Sequence, residues 1–341
     1  MKAWVIDKIC SVDTTENPLT LVDIDIPEPD KNEVLLKVLA CGICHTEIDE
    51  IEGRTTPPQY PIIPGHQVVG KIIKSIDASN FKVGDIVGVG WIYSACNKCE
   101  FCQKGFENLC QQFKATGRDK NGGYAEYMVA NINYIYKIPS YLKHYEAAPL
   151  LCAGAIGYRA IKLANINNGD NLGLMGFGAS AHLVVKIVKA LYPDTKIFVF
   201  ARNKNEQQFA IDLGCQWAGD IEVNPPELMN AIIDTTPVWK PIIHSLEKLK
   251  PAGRLVINAI RKENNDIQFL TKLDYANHLW LEKEIKTVAN ITGNDIKEFF
   301  EIIERIKITP QIQLYNFYQA NEALKEIKNQ KIKGAKVLIM E

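Results

Sequence analysis

Charge of either sign is not in excess in this chain: 39 Lys and Arg stand against 40 Asp and Glu, a net of -1. With no global field to recruit a polyanion or an anionic bilayer, neither nucleic acid nor membrane is expected as a partner. Long apolar runs are missing too. Even AAPLLCAGAIGY, starting at Ala147, falls short of the ~20 residues that span a bilayer. The opening MKAWVIDKICSVD lacks the apolar core of about 7–15 residues found in an export signal, which predicts a cytoplasmic protein. No tandem repeat and no low-complexity linker interrupts the sequence. What is present is an ordinary globular composition of 341 residues, 47% apolar and 23% charged. At roughly 150 residues per domain, that length predicts two domains.

The texture changes once along the chain. Up to about residue 140, short β-branched runs (EVLLKVLA, VVGKIIKSI from Val68, VGDIVGVG from Val83) alternate with Pro27, Pro29, Pro57, Pro58, Pro61, Pro64, Gly84 and Gly90, predicting an all-β or barrel-like half with long loops. From about residue 147, strands and helices alternate. The expected order is a strand at NLGLMG (from Asn171), a helix from Ala179, a strand at KIFVFA (from Lys196), a helix near 204–214, a strand at AIIDT (from Ala231), a helix from Val238 and a strand at RLVINAI (from Arg254). Such alternation implies right-handed crossovers over a parallel sheet, so the fold class is α/β. Amphipathic helices are expected at DIKEFFEIIERIK (from Asp295) and around Ala320, with a last strand at AKVLIM (from Ala335).

Nine cysteines are an odd count, and with no export signal the two tight groups among them point to metal rather than disulfides. Cys96, Cys99, Cys102 and Cys110 stand as C-x2-C-x2-C-x7-C, a set that wraps one ion tetrahedrally in a closed four-sulfur shell, the pattern of structural zinc. A ferredoxin-type iron–sulfur run also begins C-x2-C-x2-C, but its fourth cysteine follows after about three residues and precedes proline, whereas here Gln111 follows Cys110. A second set is dispersed: Cys41 and Cys44 in CGICHTE, His66 in PGHQVVG, and Cys152 in LLCAG. Three N/S ligands leave a coordination position open for water or substrate, as in catalytic zinc, but spacing does not unite these residues.

The order CGICHTE, PGHQVVG, four-cysteine lobe, LLCAGAIGY and glycine-rich turn resembles the zinc-dependent medium-chain alcohol dehydrogenases over nearly the whole chain. GHQVVG and GFGASAH are most similar to their cinnamyl-alcohol-dehydrogenase-like bacterial branch. The resemblance implies a GroES-like β-rich catalytic domain, residues 1–150 completed by 291–341, and a Rossmann cofactor domain, 151–290. It implies two zinc ions per subunit, with Cys44, His66 and Cys152 holding the catalytic one and Cys41 only a neighbour. Carried over residue by residue, it gives His45 a cofactor-phosphate contact, Thr46 the hydroxyl that begins the proton relay, and Glu47 the acid orienting His66. Asp49 falls on the relay terminus, where many relatives have His, and Gln67 stands where many have Glu. Trp91 matches an aromatic lining the substrate cleft. The implied activity is reversible hydride transfer between a primary alcohol or aldehyde and NAD(P), by a homodimer or homotetramer. A polyol or secondary-alcohol dehydrogenase, or a zinc-lobe interaction protein without turnover, are the competing functions.

Between a strand and a helix, GFGASA matches G-x-G-x-x-A. Gly176 suits the tight turn, Gly178 the approach of a pyrophosphate, and Ala181 close helix packing, with Ala179 and Ser180 at the anion-binding helix start. In NAD-specific folds an acid about 20 residues on grips the ribose 2′-hydroxyl. Here Ala201, Arg202, Asn203 and Lys204 follow the strand, with no carboxylate before Glu206. Arg202 and Lys204 suit a 2′-phosphate, so NADP(H) is expected over NAD(H). Cys10, Cys215, His144, His182, His244 and His278 join no constellation and read as structural.

Overall fold

In the first half, β-branched alternation builds one sheet around strand β1, Glu33–Ile43. Val34, Leu36 and Val38, spaced two apart and so on one face, are fully buried, while Lys37 on the other is exposed. Antiparallel partners are β2, Val68–Ser75, and the strands Tyr127–Asn131 and Ala335–Ile339. Register shifts at Leu35/Leu36 and Val38/Ala40 are bulges that bend β1 and increase its twist. Beyond β1 the chain enters helix α1, His45–Ile51. The computed structural model describes residues 1–75, 80–329 and 334–340. Ile76 at the end of an expected strand, and residues 330–333 and 341 of the expected returning segment, lie outside them.

The structure has two compact units, Met1–Ala155 with Ile291–Glu341, and Ile156–Asn290. The dividing point, after Ala155, falls inside helix α2, Ala153–Ala164, five residues past the start of the sequence's apolar LLCAG run. The first unit is discontinuous because Ala335–Ile339 pairs with the end of β1, Ile339 opposite Ala40 and Lys336 opposite Ile43. Its core gathers Val34, Leu36, Val38, Ile48, Ile72, Tyr124 and Met128 with Phe317 and Leu324 from the returning segment.

The second unit is a six-stranded sheet in which every pairing is parallel. In chain order its strands are β3 (Asn171–Met175), β4 (Lys196–Phe200), β5 (Trp217–Gly219), β6 (Met229–Asp234), β7 (Leu249–Ile257) and β8 (Glu284–Thr287). Laid side by side they run β5-β4-β3-β6-β7-β8. This is the doubly wound order whose reversal beside β3 opens a ligand crevice at the strands' carboxyl ends. The expected α/β class and parallel sheet are borne out. Sequence reading missed β5 and β8: β8 reads EIKT and is exposed at all four positions, so it carries no apolar pattern. Likewise AAPLLCAGAIGY is neither strand nor one helix, since a 3-10 turn over Ala148–Leu151 is broken from α2 at Cys152. That turn with its preceding helix, His144–Leu151, and α2 are bent 42° apart; together they have the length and apolarity of a broken span, but no single described helix does. Ala147, Ala148, Leu150, Leu151, Ala155, Ala160 and Ile161 of this pair are buried in the protein.

Candidate metal and cofactor sites

The first unit brings Cys44, His66 and Cys152 together with their ligand atoms all within 4.8 Å. Cys44 is the extended cap of α1, His66 follows Pro64-Gly65 into β2, and Cys152 sits at the break before α2. Gly65 is required for this approach: at φ +100° a β-carbon would stand 2.4 Å from Tyr124 Cδ1 and 2.9 Å from Cys41 Sγ. His66 Nε2 lies 3.3 Å from Cys152 Sγ. Two ligands on one tetrahedral zinc, at about 2.0 and 2.3 Å from it, stand about 3.5 Å apart, so the donor set fits that ion. Hydrogen bonding from Cys152, against the opposing effect of burial, and the neighbouring His66 hold Cys44 well below the usual thiol range; the same bond and burial push Cys152 well above it. Such a thiolate–thiol pair has one proton left to release when a cation enters.

Glu47 does two jobs from the third residue of α1. One carboxylate oxygen accepts from the Cys44 backbone N–H at 2.7 Å, completing a capping box. The other lies 2.7 Å from His66 Nδ1, close enough for charge interaction though off the line of a straight hydrogen bond. The Nε2 face is thereby left toward the thiols. Burial pulls His66 downward, yet the charges of Glu47 and Cys44 outweigh it and raise the imidazole well above its ordinary value. Trp91, 4% exposed, meets His66 edge-on with ring centroids 4.8 Å apart. Thr46 Oγ1 lies 3.5 Å from Cys44 Sγ, and His45 beside it is exposed. Gln67 packs against β1, its Oε1 2.8 Å from where a β-carbon on Gly42 would stand. Asp49 is buried and receives Arg54 Nε at 2.7 Å. Sequence reading passed over Arg54, and over Glu50, a fully buried carboxyl on the same helix.

Cys96, Cys99, Cys102 and Cys110 also converge, all four sulfurs within 4.8 Å. Cys99 and Cys102 are 3.5 Å apart and Cys96 and Cys102 3.9 Å, bracketing the ~3.8 Å edge of a zinc–thiolate tetrahedron. The turn turns on Asn97, at φ 57°, whose side chain is held by Tyr134. Backbone amides face the sulfurs: Cys99 N–H donates to Cys96, and Cys96 N–H and Gln112 N–H to Cys110. Amides of Lys98 and Cys99 lower Cys96 to about 6, while burial and the Cys99 thiol raise Cys102 to about 12. The lobe is thus part thiolate before any ion binds.

In the second unit, β3 runs into Gly176 (φ +83°), where a β-carbon would meet Thr235 Oγ1 at 3.0 Å. Gly178 then caps helix α3, Ala179–Leu191, with no side chain satisfying that helix start. A β-carbon on Gly178 would meet nothing within 4 Å, so the start of this helix is open to the close approach of a ligand such as a pyrophosphate. Ala181 is buried. Arg202 and Lys204 are exposed after β4; Lys204 Nζ reaches Gln207 Oε1 at 3.1 Å. Glu206 is half-buried in the first turn of helix α4, Lys204–Asp212, where burial raises its pKa against the pull of Arg202.

Known proteins match this arrangement. The family model "Alcohol dehydrogenase GroES-like domain" matches residues 30–140. A probable alcohol dehydrogenase, AdhA, of Mycobacterium tuberculosis (strain CDC 1551 / Oshkosh) is 35% identical over 346 residues, covering 100% of this chain and 97% of that protein. A probable cinnamyl alcohol dehydrogenase 2 of Nicotiana tabacum is 30% identical over 316 residues, covering 87% of this chain and 85% of the relative. Among solved structures, CAD from Helicobacter pylori complexed with NADP(H) superposes with a TM-score of 0.85 at 24% identity, covering 99% of this chain and 97% of that one.

Proposed function

The chain belongs to the zinc-type medium-chain alcohol dehydrogenases, cinnamyl-alcohol-dehydrogenase-like, and is an NAD(P)-dependent oxidoreductase of a small alcohol; on that premise we propose which of its residues carry the reaction, how many metal ions it holds and which cofactor it prefers. The observation that carries the reading is the convergence of Cys44, His66 and Cys152, from three separated segments, with Thr46 at their edge. Zinc held there would supply Lewis acidity toward the substrate oxygen, and NAD(P) would accept or donate the hydride. Everything else falls to side chains. Thr46 takes the proton from a primary alcohol and returns it to an aldehyde, with Asp49 behind it as a secondary station already engaged by Arg54. Glu47 fixes the tautomer of His66, and Trp91 walls the substrate side of that ring. His45 contacts cofactor phosphate.

A second ion sits in the Cys96–Cys110 lobe, giving two per subunit, and the catalytic domain of 1–150 with 291–341 extends to Ala155, which keeps Cys152 with Cys44 and His66. NADP(H) is preferred, because Arg202 offers a planar fork to a 2′-phosphate and no acid precedes Glu206 to repel it. The subunits form a homodimer through β8, an edge strand whose Ile285 is exposed and which follows exposed Tyr275, Trp280 and Leu281, with a tetramer of such pairs as the larger form. The enzyme works in the cytoplasm. A panel of primary alcohols, polyols and aldehydes assayed with both cofactors tests the reading: turnover of primary alcohols and aldehydes with NADP(H) is expected, and activity confined to polyols with NAD(H) would overturn it.

A further inference from the structure

Glu50 is 0% exposed, and neither carboxylate oxygen has a hydrogen-bond partner among the described residues. A bare buried carboxylate is among the most costly groups a fold can hold, and burial with the charge of Glu47 accordingly pushes Glu50 well above the usual carboxylate range, so that it carries its charge in this place only with a cation near it. Among the described residues no side chain pairs with it. Arg118, the nearest guanidinium acting on it, spends its fork on Asp119, at 2.7 and 3.1 Å. Tyr60 and Tyr124 feel its charge, but their buried hydroxyls have no hydrogen-bond partner among the described residues. Ile48 and Ile51 on the same helix are fully buried and apolar, which is what packing alone calls for at such a depth, while the adjoining Asp49, also buried, is engaged by Arg54.

Position supplies the missing partner. Helix α1 begins at Cys44; Glu47 in its first turn faces His66, and Glu50 follows three residues later on the same side of the helix. The groups whose charges act on Glu50 are Glu47, His66, Cys44 and Arg118. Its oxygens are not part of the ligand cluster, which is confined to Cys44, His66 and Cys152. We propose that Glu50 is a positioning residue for the ion held by those three: an outer carboxylate that strengthens its binding through the low-dielectric interior without ligating it and without serving the fold. A charge so deep acts over several ångströms with little screening.

This rests on the reading of Cys44, His66 and Cys152 as ligands, so the test carries a control for it. Zinc affinity would be measured on the full chain by competition with a chromophoric chelator, and the melting temperature on the metal-free chain. Glu50→Gln keeps the shape and removes the charge. It is expected to weaken zinc about 10- to 100-fold, as loss of outer partners does, while the metal-free protein melts no lower than its parent. Glu50→Asp, which keeps the charge, should recover most of the affinity. Affinity in Glu50→Gln within about twofold of the parent overturns the proposal, as does a lower melting temperature or loss of folding in the metal-free variant, either of which makes the group structural. In the same assay Cys44→Ser should lose one zinc; an unchanged zinc count there would refute the ligand reading itself, separately from Glu50.

Discussion

Two cysteine clusters in one unit make opposite use of the same chemistry. The Cys96–Cys110 lobe is local and closed: four sulfurs from fifteen consecutive residues, backbone amides aimed at them, three of the four cysteines partly exposed. The Cys44–His66–Cys152 set is long-range and open, assembled from a helix cap, a strand start and a helix break, with His66 1% exposed and held from behind by Glu47. On the proposed reading a local shell would tie down its own loop, and an open set held by the fold would leave a coordination position for a substrate. The difference teaches that ligand count alone does not separate structure from chemistry; what supports the ligands does.

The largest effect should come from breaking the open set. Cys152→Ser is expected to lower turnover at least ~1,000-fold while circular dichroism and melting temperature stay near the parent's, since removal of groups that act as a unit costs the reaction most of its acceleration. Activity within tenfold of the parent would show that Cys152 is no ligand. The closed shell should answer in the other currency: Cys99→Ser is expected to lower the melting temperature and solubility through the 95–113 loop, with the turnover of whatever remains folded little changed. Unchanged stability with one zinc fewer would contradict that division.

Between these lies the relay. Thr46→Ala should reduce kcat about 100-fold with little change in cofactor affinity, because the hydroxyl serves the substrate oxygen and not the dinucleotide; a change confined to cofactor affinity would remove Thr46 from the relay. A smaller loss, about 10-fold or somewhat more in kcat/KM for NADP(H) and near none for NAD(H), is expected of Arg202→Ala, the worth of a charge-assisted phosphate contact. Equal effects on both cofactors would refute the 2′-phosphate assignment.

A separate effect concerns stability and acid. His182 is buried in α3, neither ring nitrogen having a hydrogen-bond partner among the described residues, and burial, aided by Lys186, lowers it to about 4. The unfolded chain takes up that proton near pH 6.5 and the folded one does not, so the contribution is whole above pH 6.5 and lost progressively as pH falls toward 4. At 1.36 kcal/mol per unit this amounts to about 3 kcal/mol. His182→Leu should therefore flatten the stability profile across that window, as read by urea melts at pH 7 and pH 4.5; an unaltered slope would show that His182 is not the group responsible.

How much of this was legible in the sequence follows the same divide. The four-cysteine lobe could be read from spacing, because all its ligands lie in one short segment and the chain's own turns bring them together. The parallel sheet was legible at β3, β4 and β6, whose buried apolar runs alternate with helices, but not at β8, whose exposed EIKT owes its conformation to pairing with β7. The open set could not be derived from spacing: Cys44, His66 and Cys152 meet only through β1, β2 and the break before α2, and resemblance alone united them in advance. Arg54 on Asp49 and the unpartnered Glu50 were invisible for a related reason, since a charged residue in a helix reads as a solvated face until the fold buries it.

The central claim, that one cluster serves chemistry and the other the fold, is tested most directly by stripping metal from the parent enzyme with a chelator while following zinc content, turnover and melting temperature together. Two ions per chain are predicted, the loss of one abolishing turnover at nearly constant melting temperature and the loss of the other lowering the melting temperature. A single ion per chain, or turnover and stability falling together with the same ion, would contradict the account.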